Sequence, residues 1–278
     1  MADIEILGAK ISDLDMVETV CALAAYIDVG RRPSAEEETL HHIITLNAEM
    51  LYKAQTDRRL LDIINGAALV TPDGSGIVLA AKELCGREIS RVTGIDLMTE
   101  LCRRSVACGW SIYLLGAAPG VAEQAAKNLR EQYGTNICGY HDGYFKPEEQ
   151  AWIIGEINEK KPDILLVAMG APRQEFWIED NRSRLRVPLV IGVGGCFDVI
   201  SGNLKRAPEF FQRMGIEWLW RLLKEPRRFR RMLALPKFFL LVKREARRRR
   251  RMLADNIRLN LKHKDDADNK KEKKILPK

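Results

Sequence analysis

The stretch LLVAMGAPRQEFWIED, residues 165–180, joins an apolar run to the start of a helix. The unbroken apolar run is typical of a strand in a parallel sheet that is covered on both faces. Gly170 permits a tight turn, and Pro172 suits the first helical position, which places the triplet Arg-Gln-Glu at 173–175 in the opening helical turn. Ligands of open α/β sheets bind beyond the carboxyl ends of strands, so this turn is either part of a ligand site or a helix start that Gln174 merely caps.

The same order of strand, glycine turn and helix recurs upstream and downstream of this stretch. A helix is predicted over 12–26, a strand over 41–50, a helix end followed by a strand over 60–73, and two further helices before a strand–turn–helix unit at 111–134. A last strand begins LVIGVGG at 189–195. Strands that alternate with helices indicate an α/β fold, a Rossmann-like and mostly parallel sheet with helices on both faces.

Bulk properties point to an ordinary globular protein of the cytoplasm. The apolar share of 46% is enough for a sizeable core. The six cysteines show no CxxC spacing, and without a signal peptide they indicate reduced thiols. No run approaches the ~20 apolar residues that a membrane-spanning helix needs.

The net charge of +7 is unevenly distributed along the chain. Residues 1–202, the predicted α/β body, carry 20 Lys and Arg against 29 Asp and Glu. Residues 203–263 carry 19 against 5 and keep helical apolar spacing, which predicts a basic helical appendage. The charged segment 264–278 is low in complexity and is predicted to be a disordered tail.

The appendage mixes basic and aromatic residues. Trp218, Phe229 and Phe238 stand among arginines, and five consecutive arginines follow at 247–251. An amphipathic helix in a lipid headgroup region has this composition, and each basic residue near an anionic leaflet adds roughly 1 kcal/mol. RNA would attract the same charges. The apolar residues favour an anionic membrane surface over nucleic acid as the partner.

Polar residues near the carboxyl ends of two predicted strands are in positions that suit a ligand site. Asp73, in TPDGSG, could act as a general base on a substrate hydroxyl, or it could be a turn aspartate beside Gly74. Thr45 and Asn47 could hydrogen-bond a sugar or a nucleotide, or they could satisfy local backbone groups.

Cofactor and metal motifs are weak or missing. The glycine turns at 116–120 and 192–195 do not match GxGxxG, which argues against an NAD-dependent oxidoreductase. The DxD triplets at 13–15 and 266–268 do not end strands beside glycine turns, so neither predicts a metal–nucleotide site. No metal and no cofactor are expected.

Read together, these segments resemble the WecG/TagA/CpsF family of bacterial glycosyltransferases. The motifs that carry the resemblance occur in the family's order: TLNAEM (45–50), TPDGSGIV (71–78), RVTGIDL (91–97), YLLGAAPGVAEQAA (113–126), LLVAMGAPRQEFWI (165–178), IGVGGCFDVISG (191–202), KRAPEF (205–210) and EWLWRLLKEPRRFRR (217–231).

The resemblance implies an inverting, metal-independent transfer of a sugar from a UDP-sugar to a polyprenyl-diphosphate-linked acceptor. In the best-known members the donor is UDP-N-acetylmannosamine or its uronic acid, and the acceptor is undecaprenyl-diphosphate-GlcNAc. Such an enzyme would serve the synthesis of a cell-surface polysaccharide or teichoic acid, as a peripheral protein on the inner face of the cell membrane. A homo-oligomer is left open.

The resemblance also assigns roles to residues that match its motifs. Asp73 becomes the general base, and the substrate pocket is lined by Thr45, Asn47, Arg91, Gln174 and Glu175. From the appendage, Arg221, Arg228 and Arg231 would close over the diphosphate, so that the appendage both anchors the protein and completes the site. The alternative is a nucleotide-binding body with an RNA-binding arginine-rich tail.

Overall fold

A six-stranded parallel sheet forms the centre of the molecule. The computed structural model describes residues 3–31, 40–226 and 229–275, with side chains through 255 except those of 213, 230 and 231. Its strands are β1 Asp3–Ile6, β2 Ala9–Ser12, β3 His41–Leu46, β4 Leu69–Pro72, β5 Ser111–Gly116, β6 Asn136–His141, β7 Ile164–Ala168 and β8 Leu189–Gly192. The sheet order is β4-β3-β8-β7-β5-β6, with every pairing parallel. The predicted Rossmann-like α/β architecture is confirmed.

Helices cover both faces of this sheet. The helices of the body are α1 Met16–Gly30, α2 Ala48–Ala54, α3 Arg58–Gly66, α4 Ser75–Cys85, α5 Gly94–Cys108, α6 Val121–Tyr133, α7 Gln150–Lys160, α8 Arg173–Asp180 and α9 Cys196–Ile200. The appendage contributes α10 Glu209–Arg213, α11 Glu217–Lys224, α12 Phe229–Met232 and α13 Ala234–Ile275.

The core consists of apolar layers on the two sides of the sheet, because successive strand residues point to opposite faces. Ile43 and Ile112 belong to the layer that includes residues of α1, α5, α6 and α9. Their chain neighbours Ile44 and Tyr113 belong to two clusters that contain α2, α3, α4 and α13, or α7 and α8. Strands buried on both faces explain why the apolar runs in the sequence are continuous rather than alternating.

An antiparallel hairpin, β1 with β2, precedes the parallel sheet. The hairpin was not predicted from the sequence, since each strand has only four residues. Leu7 and Gly8 form its two-residue turn with φ values of 51° and 81°. Positive φ at both central residues is the geometry of a type I′ turn, and a leucine at the first position conceals that signal.

Two predicted element boundaries are corrected by local capping. Helix α1 starts at Met16, not at residue 12, because Asp15 accepts a hydrogen bond from the Glu18 backbone N–H as the N-cap. The strand predicted over 41–50 ends at Leu46, and a helix follows immediately.

Helix α13 packs against the body on the side of α2 and α4. Phe238 and Val242, one helical turn apart, are buried in the same apolar cluster as residues of these two helices. Phe238, one of the aromatic residues that suggested a helix in a lipid headgroup region, is therefore part of the protein core, whereas Leu240 between them is 70% exposed. The division of the chain at residue 202 stays a prediction. So does a disordered tail at 264–278, although the structure gives residues 264–275 as the last part of α13.

Candidate active site

A cleft of about 460 Å³ lies at the carboxyl ends of the strands. The body lines it with residues that follow β3, β4, β5, β6, β7 and β8, and the appendage lines it with residues of α11, α12 and α13. Six of the predicted site residues are in contact with this space: Thr45, Asn47, Asp73, Arg91, Gln174 and Arg221. The cleft is therefore at the edge where open α/β sheets bind ligands.

Asp73 stands directly after β4, at the start of the turn into α4. Its backbone N–H donates to the Leu46 carbonyl (2.8 Å), and a carboxylate oxygen accepts from the Gly94 N–H at 3.3 Å. Gly74, with φ of 89°, supplies the left-handed turn that leads into the helix. The backbone of Asp73 is thereby held by the end of β3, and its carboxyl group by the start of α5.

Burial raises the pKa of Asp73 to about 6. The hydrogen bond from Gly94 and the charges of Arg221 and Arg91 oppose this rise, while the charge of Glu217 adds to it. A carboxylate with a pKa just below neutrality is ionised at pH 7 and is more basic than an exposed aspartate. It can therefore accept a proton from a hydroxyl more readily.

Thr45 and Asn47 each make a local structural bond. The Thr45 hydroxyl donates to the Gly192 carbonyl at 2.9 Å, and the Asn47 Oδ1 accepts from the Met50 N–H at 3.0 Å as the N-cap of α2. The local hydrogen bonds that the sequence left open as an alternative are therefore present. Both residues also line the cleft, so their substrate contacts stay a prediction.

Arg91 connects the cleft to the appendage. Its Nη1 lies 3.2 Å from Oε1 of Glu217, which opens α11, and the Ser75 hydroxyl donates to the Gly215 carbonyl just before that helix. Glu217 was not predicted as a site residue. Its spacing of four from Arg221, which places both on one face of α11, is the signal that could have found it.

Gln174 and Glu175 lie in the first turn of α8, as predicted, and they form a buried pair. Gln174 Oε1 accepts from the Gly194 N–H at 3.0 Å, and its Nε2 donates to Glu175 Oε1 at 2.8 Å. A Cβ at Gly192 would lie 2.5 Å from that Nε2, so a larger residue here would have to displace the buried pair. Gln174 lines the cleft; Glu175 lies behind it with no exposed surface, and its role in substrate binding stays a prediction.

Replacing Glu175 by glutamine should make folding stability less dependent on pH. Burial raises the pKa of Glu175 to about 7, and its Oε2 has no partner among the described residues. The stability that the protonated form provides is full below the unfolded pKa of about 4.5 and is lost as the pH rises through about 7. In Glu175→Gln this loss, on the order of 3 kcal/mol, should be missing.

Urea denaturation at pH 5 and pH 8 measures this difference. Glu131→Gln, on the exposed surface of α6, is the matched control and should keep the wild-type pH dependence. An identical pH dependence in the wild type and Glu175→Gln would show that Glu175 does not titrate in this range.

Three arginines of the appendage were predicted to contact the substrate, and the structure describes the side chain of one of them. Arg221 of α11 lines the cleft. Arg228 lies outside the described residues, and so does the side chain of Arg231 in α12. Arg173, whose Nη2 donates to the Gly143 carbonyl at 2.9 Å, is an additional cation of the cleft.

Side chains that could bind a metal are not clustered in the part of the chain that the structure describes. Within it, no three His, Cys, Asp or Glu side chains are grouped in a way that could hold a metal ion. The charged side chains that line the cleft include arginines from both the body and the appendage.

Comparison with known protein families extends over most of the chain. A model described as the glycosyl transferase WecG/TagA/CpsF family matches residues 4–252. The match includes the whole parallel sheet, every cleft residue named above and the appendage as far as Met252. The chain therefore belongs to the WecG/TagA/CpsF family of glycosyltransferases.

Proposed function

We propose that this glycosyltransferase of cell-surface polysaccharide synthesis moves N-acetylmannosamine, or a closely related sugar, from a UDP-sugar to a polyprenyl-diphosphate-linked GlcNAc. The observation that carries the proposal is the position of Asp73. It is a partly buried carboxylate with a raised pKa, in a cleft that also holds Arg91 and Arg221. A base beside guanidinium groups is what transfer from a sugar diphosphate to a hydroxyl requires.

In the proposed reaction Asp73 takes the proton of the acceptor hydroxyl. The hydroxyl oxygen forms a bond to C1 of the donor sugar from the face opposite the leaving group. The bond between C1 and the diphosphate oxygen breaks, and UDP departs with the electron pair. One displacement of this kind inverts the configuration at C1.

Negative charge that develops on the departing UDP needs stabilisation. We assign this task to Arg91 and Arg221, which line the cleft, with Arg173 at the start of α8 as a third cation. Guanidinium groups can bind phosphate oxygens in a bidentate manner. The N-terminal end of α8 adds backbone N–H groups and a favourable dipole. In this proposal no divalent cation takes part.

The appendage supports a peripheral location on an anionic membrane surface. In the part of the chain that the structure describes, no helix has the length and apolar character needed to cross a bilayer. Several large apolar side chains of the appendage are nevertheless exposed: Phe210, Met214, Trp218, Leu223, Phe229, Leu233 and Leu240. Such side chains next to many basic residues suit the headgroup region of a membrane. A location on the inner face of the cell membrane would bring the cleft to a lipid-linked acceptor.

The direct test incubates the full-length protein with candidate UDP-sugars and a GlcNAc-diphospholipid, with and without EDTA. We expect release of UDP with UDP-N-acetylmannosamine or a related donor, a product of inverted anomeric configuration, and the same rate in EDTA. No UDP release with any donor would contradict the proposal. Salt-sensitive retention of RNA together with no UDP release would favour the RNA-binding alternative.

A further inference from the structure

Glu217 places a negative charge in the cleft where the diphosphate of the donor is proposed to bind. It lines the cleft together with Arg91 and Arg221, but a carboxylate repels a phosphate. Its side chain is 23% exposed, so water screens this charge only in part. A purpose other than binding the diphosphate is therefore needed to explain an acidic residue at this place.

The backbone just before Glu217 is fixed beside Asp73. Gly215, with φ of 69°, accepts a hydrogen bond from the Ser75 hydroxyl through its carbonyl oxygen. A Cβ on Gly215 would lie 2.7 Å from the Cβ of Ser75, which shows how closely this loop is pressed against the start of α4. Since Ser75 is only two residues after Asp73, the start of α11 is held next to the proposed base.

Glu217 is paired with Arg91 by charge and not by an aligned hydrogen bond. Arg91 Nη1 lies 3.2 Å from Glu217 Oε1. This oxygen is buried, and among the described residues no group donates a well-aligned hydrogen bond to it. Such a pair is weaker than the bidentate contact that a guanidinium group can make with a phosphate. Arg91 can therefore exchange the carboxylate for phosphate oxygens when a donor binds.

The titratable groups that face Asp73 come from three parts of the chain. Arg91 precedes α5, Glu217 and Arg221 lie on α11, and Cys196 opens α9. The two arginines lower the pKa of Asp73, whereas the charge of Glu217 raises it. Burial raises the pKa of Cys196 to about 12, so its thiol is neutral at pH 7. The carboxylate of Glu217 thus offsets part of the effect of the arginines on the base.

We propose that Glu217 is a positioning residue for the transfer, which holds Arg91 at the cleft and favours proton acceptance by Asp73 at the expense of donor affinity. The inference rests on the proposed function, because it takes Asp73 as the base and Arg91 as a ligand of the diphosphate. A neutral side chain at position 217 should free Arg91 for the phosphates and make Asp73 a weaker base.

The test uses the full-length wild type and Glu217→Gln. At pH 8 we expect the variant to bind UDP about threefold more tightly or better, because a negative charge near the phosphates has been removed. In the wild type, kcat/KM for UDP release at pH 5 should be about a tenth of its plateau at high pH, since the pKa of Asp73 is about 6. In Glu217→Gln this fraction should be at least about twofold larger, because the midpoint of the rise moves to lower pH.

Glu217→Asp and Arg206→Gln are the controls. Glu217→Asp keeps the negative charge and should keep the midpoint of the wild type. Arg206 Nη2 lies 2.7 Å from Asp96 Oδ1, and this pair joins the same segment of the appendage to the start of α5 without lining the cleft. Arg206→Gln loosens the appendage but leaves the charge of Glu217 in place. It should neither tighten UDP binding nor move the midpoint to lower pH.

The outcomes separate this role from a merely structural one. Unchanged or weaker UDP binding in Glu217→Gln would overturn the proposal, and so would an unmoved midpoint. Tighter UDP binding and a lower midpoint in Arg206→Gln as well would overturn it too, since both changes would then come from a loosened appendage. A wild type that releases no UDP would refute the proposed function itself, on which this inference rests.

Discussion

Asp73→Asn is expected to lower the turnover number by about 10²-fold or more while UDP-sugar binding remains nearly intact. Asparagine has almost the same shape as aspartate, and its side-chain oxygen can still accept the Gly94 N–H bond. It cannot take a proton from the acceptor hydroxyl. The loss should therefore fall on kcat and not on the affinity for the donor.

Steady-state rates of UDP release and the Kd of UDP, measured on the same preparations, separate the two effects. Asp62→Asn, on the exposed surface of α3, is the control for the chemical change alone and should leave both quantities unchanged. Unchanged turnover in Asp73→Asn would remove Asp73 from the role of base. An equal loss of UDP affinity and turnover would make it a binding residue.

Phe238→Ala is expected to destabilise the protein by about 3–5 kcal/mol. Phe238 is fully buried in a cluster with residues of α2 and α4, and its ring lies against the start of α4 near Gly76. Truncation removes the apolar contacts of the ring and leaves a cavity between the appendage and the body. Both losses add to the cost.

Leu240→Ala provides the comparison, two residues farther along the same helix. Leu240 is 70% exposed, so its replacement should change the free energy of unfolding by less than about 1 kcal/mol. Urea denaturation of the two variants measures the difference. A cost below 1 kcal/mol for Phe238→Ala would mean that α13 does not pack on the body in solution. A cost of about 3–5 kcal/mol would mean that packing of the appendage stabilises the folded body, residues 1–202.

The fold was predictable because its strands are buried on both faces. Continuous apolar runs such as the one at 164–168, each followed by a glycine turn and a helix, specify a parallel sheet with little ambiguity. The hairpin at the N-terminus was not predictable in the same way. Its strands are short, and its turn places Leu7 at a position where glycine or asparagine would be the usual signal.

The site was predictable where a polar residue directly follows a strand, as Asp73 does. Asn47 was less clear, because the same amide serves as the cap of α2, and a sequence does not show where a strand gives way to a helix at a single residue. Glu217 was missed because its position depends on how α11 packs against the body. The burial of Phe238 was not predictable either, because an apolar helix face suits a protein core as well as a lipid surface.

The measurement that tests the role of Asp73 most directly is the pH dependence of kcat/KM for UDP release by the full-length protein. Because the base must be ionised to accept a proton, and burial raises the pKa of Asp73 to about 6, kcat/KM should rise about tenfold per pH unit below pH 6 and level off above it. The same profile in Glu175→Gln would assign the titration to Asp73 and not to the other buried carboxylate. A flat profile from pH 5 to pH 8 would contradict the account.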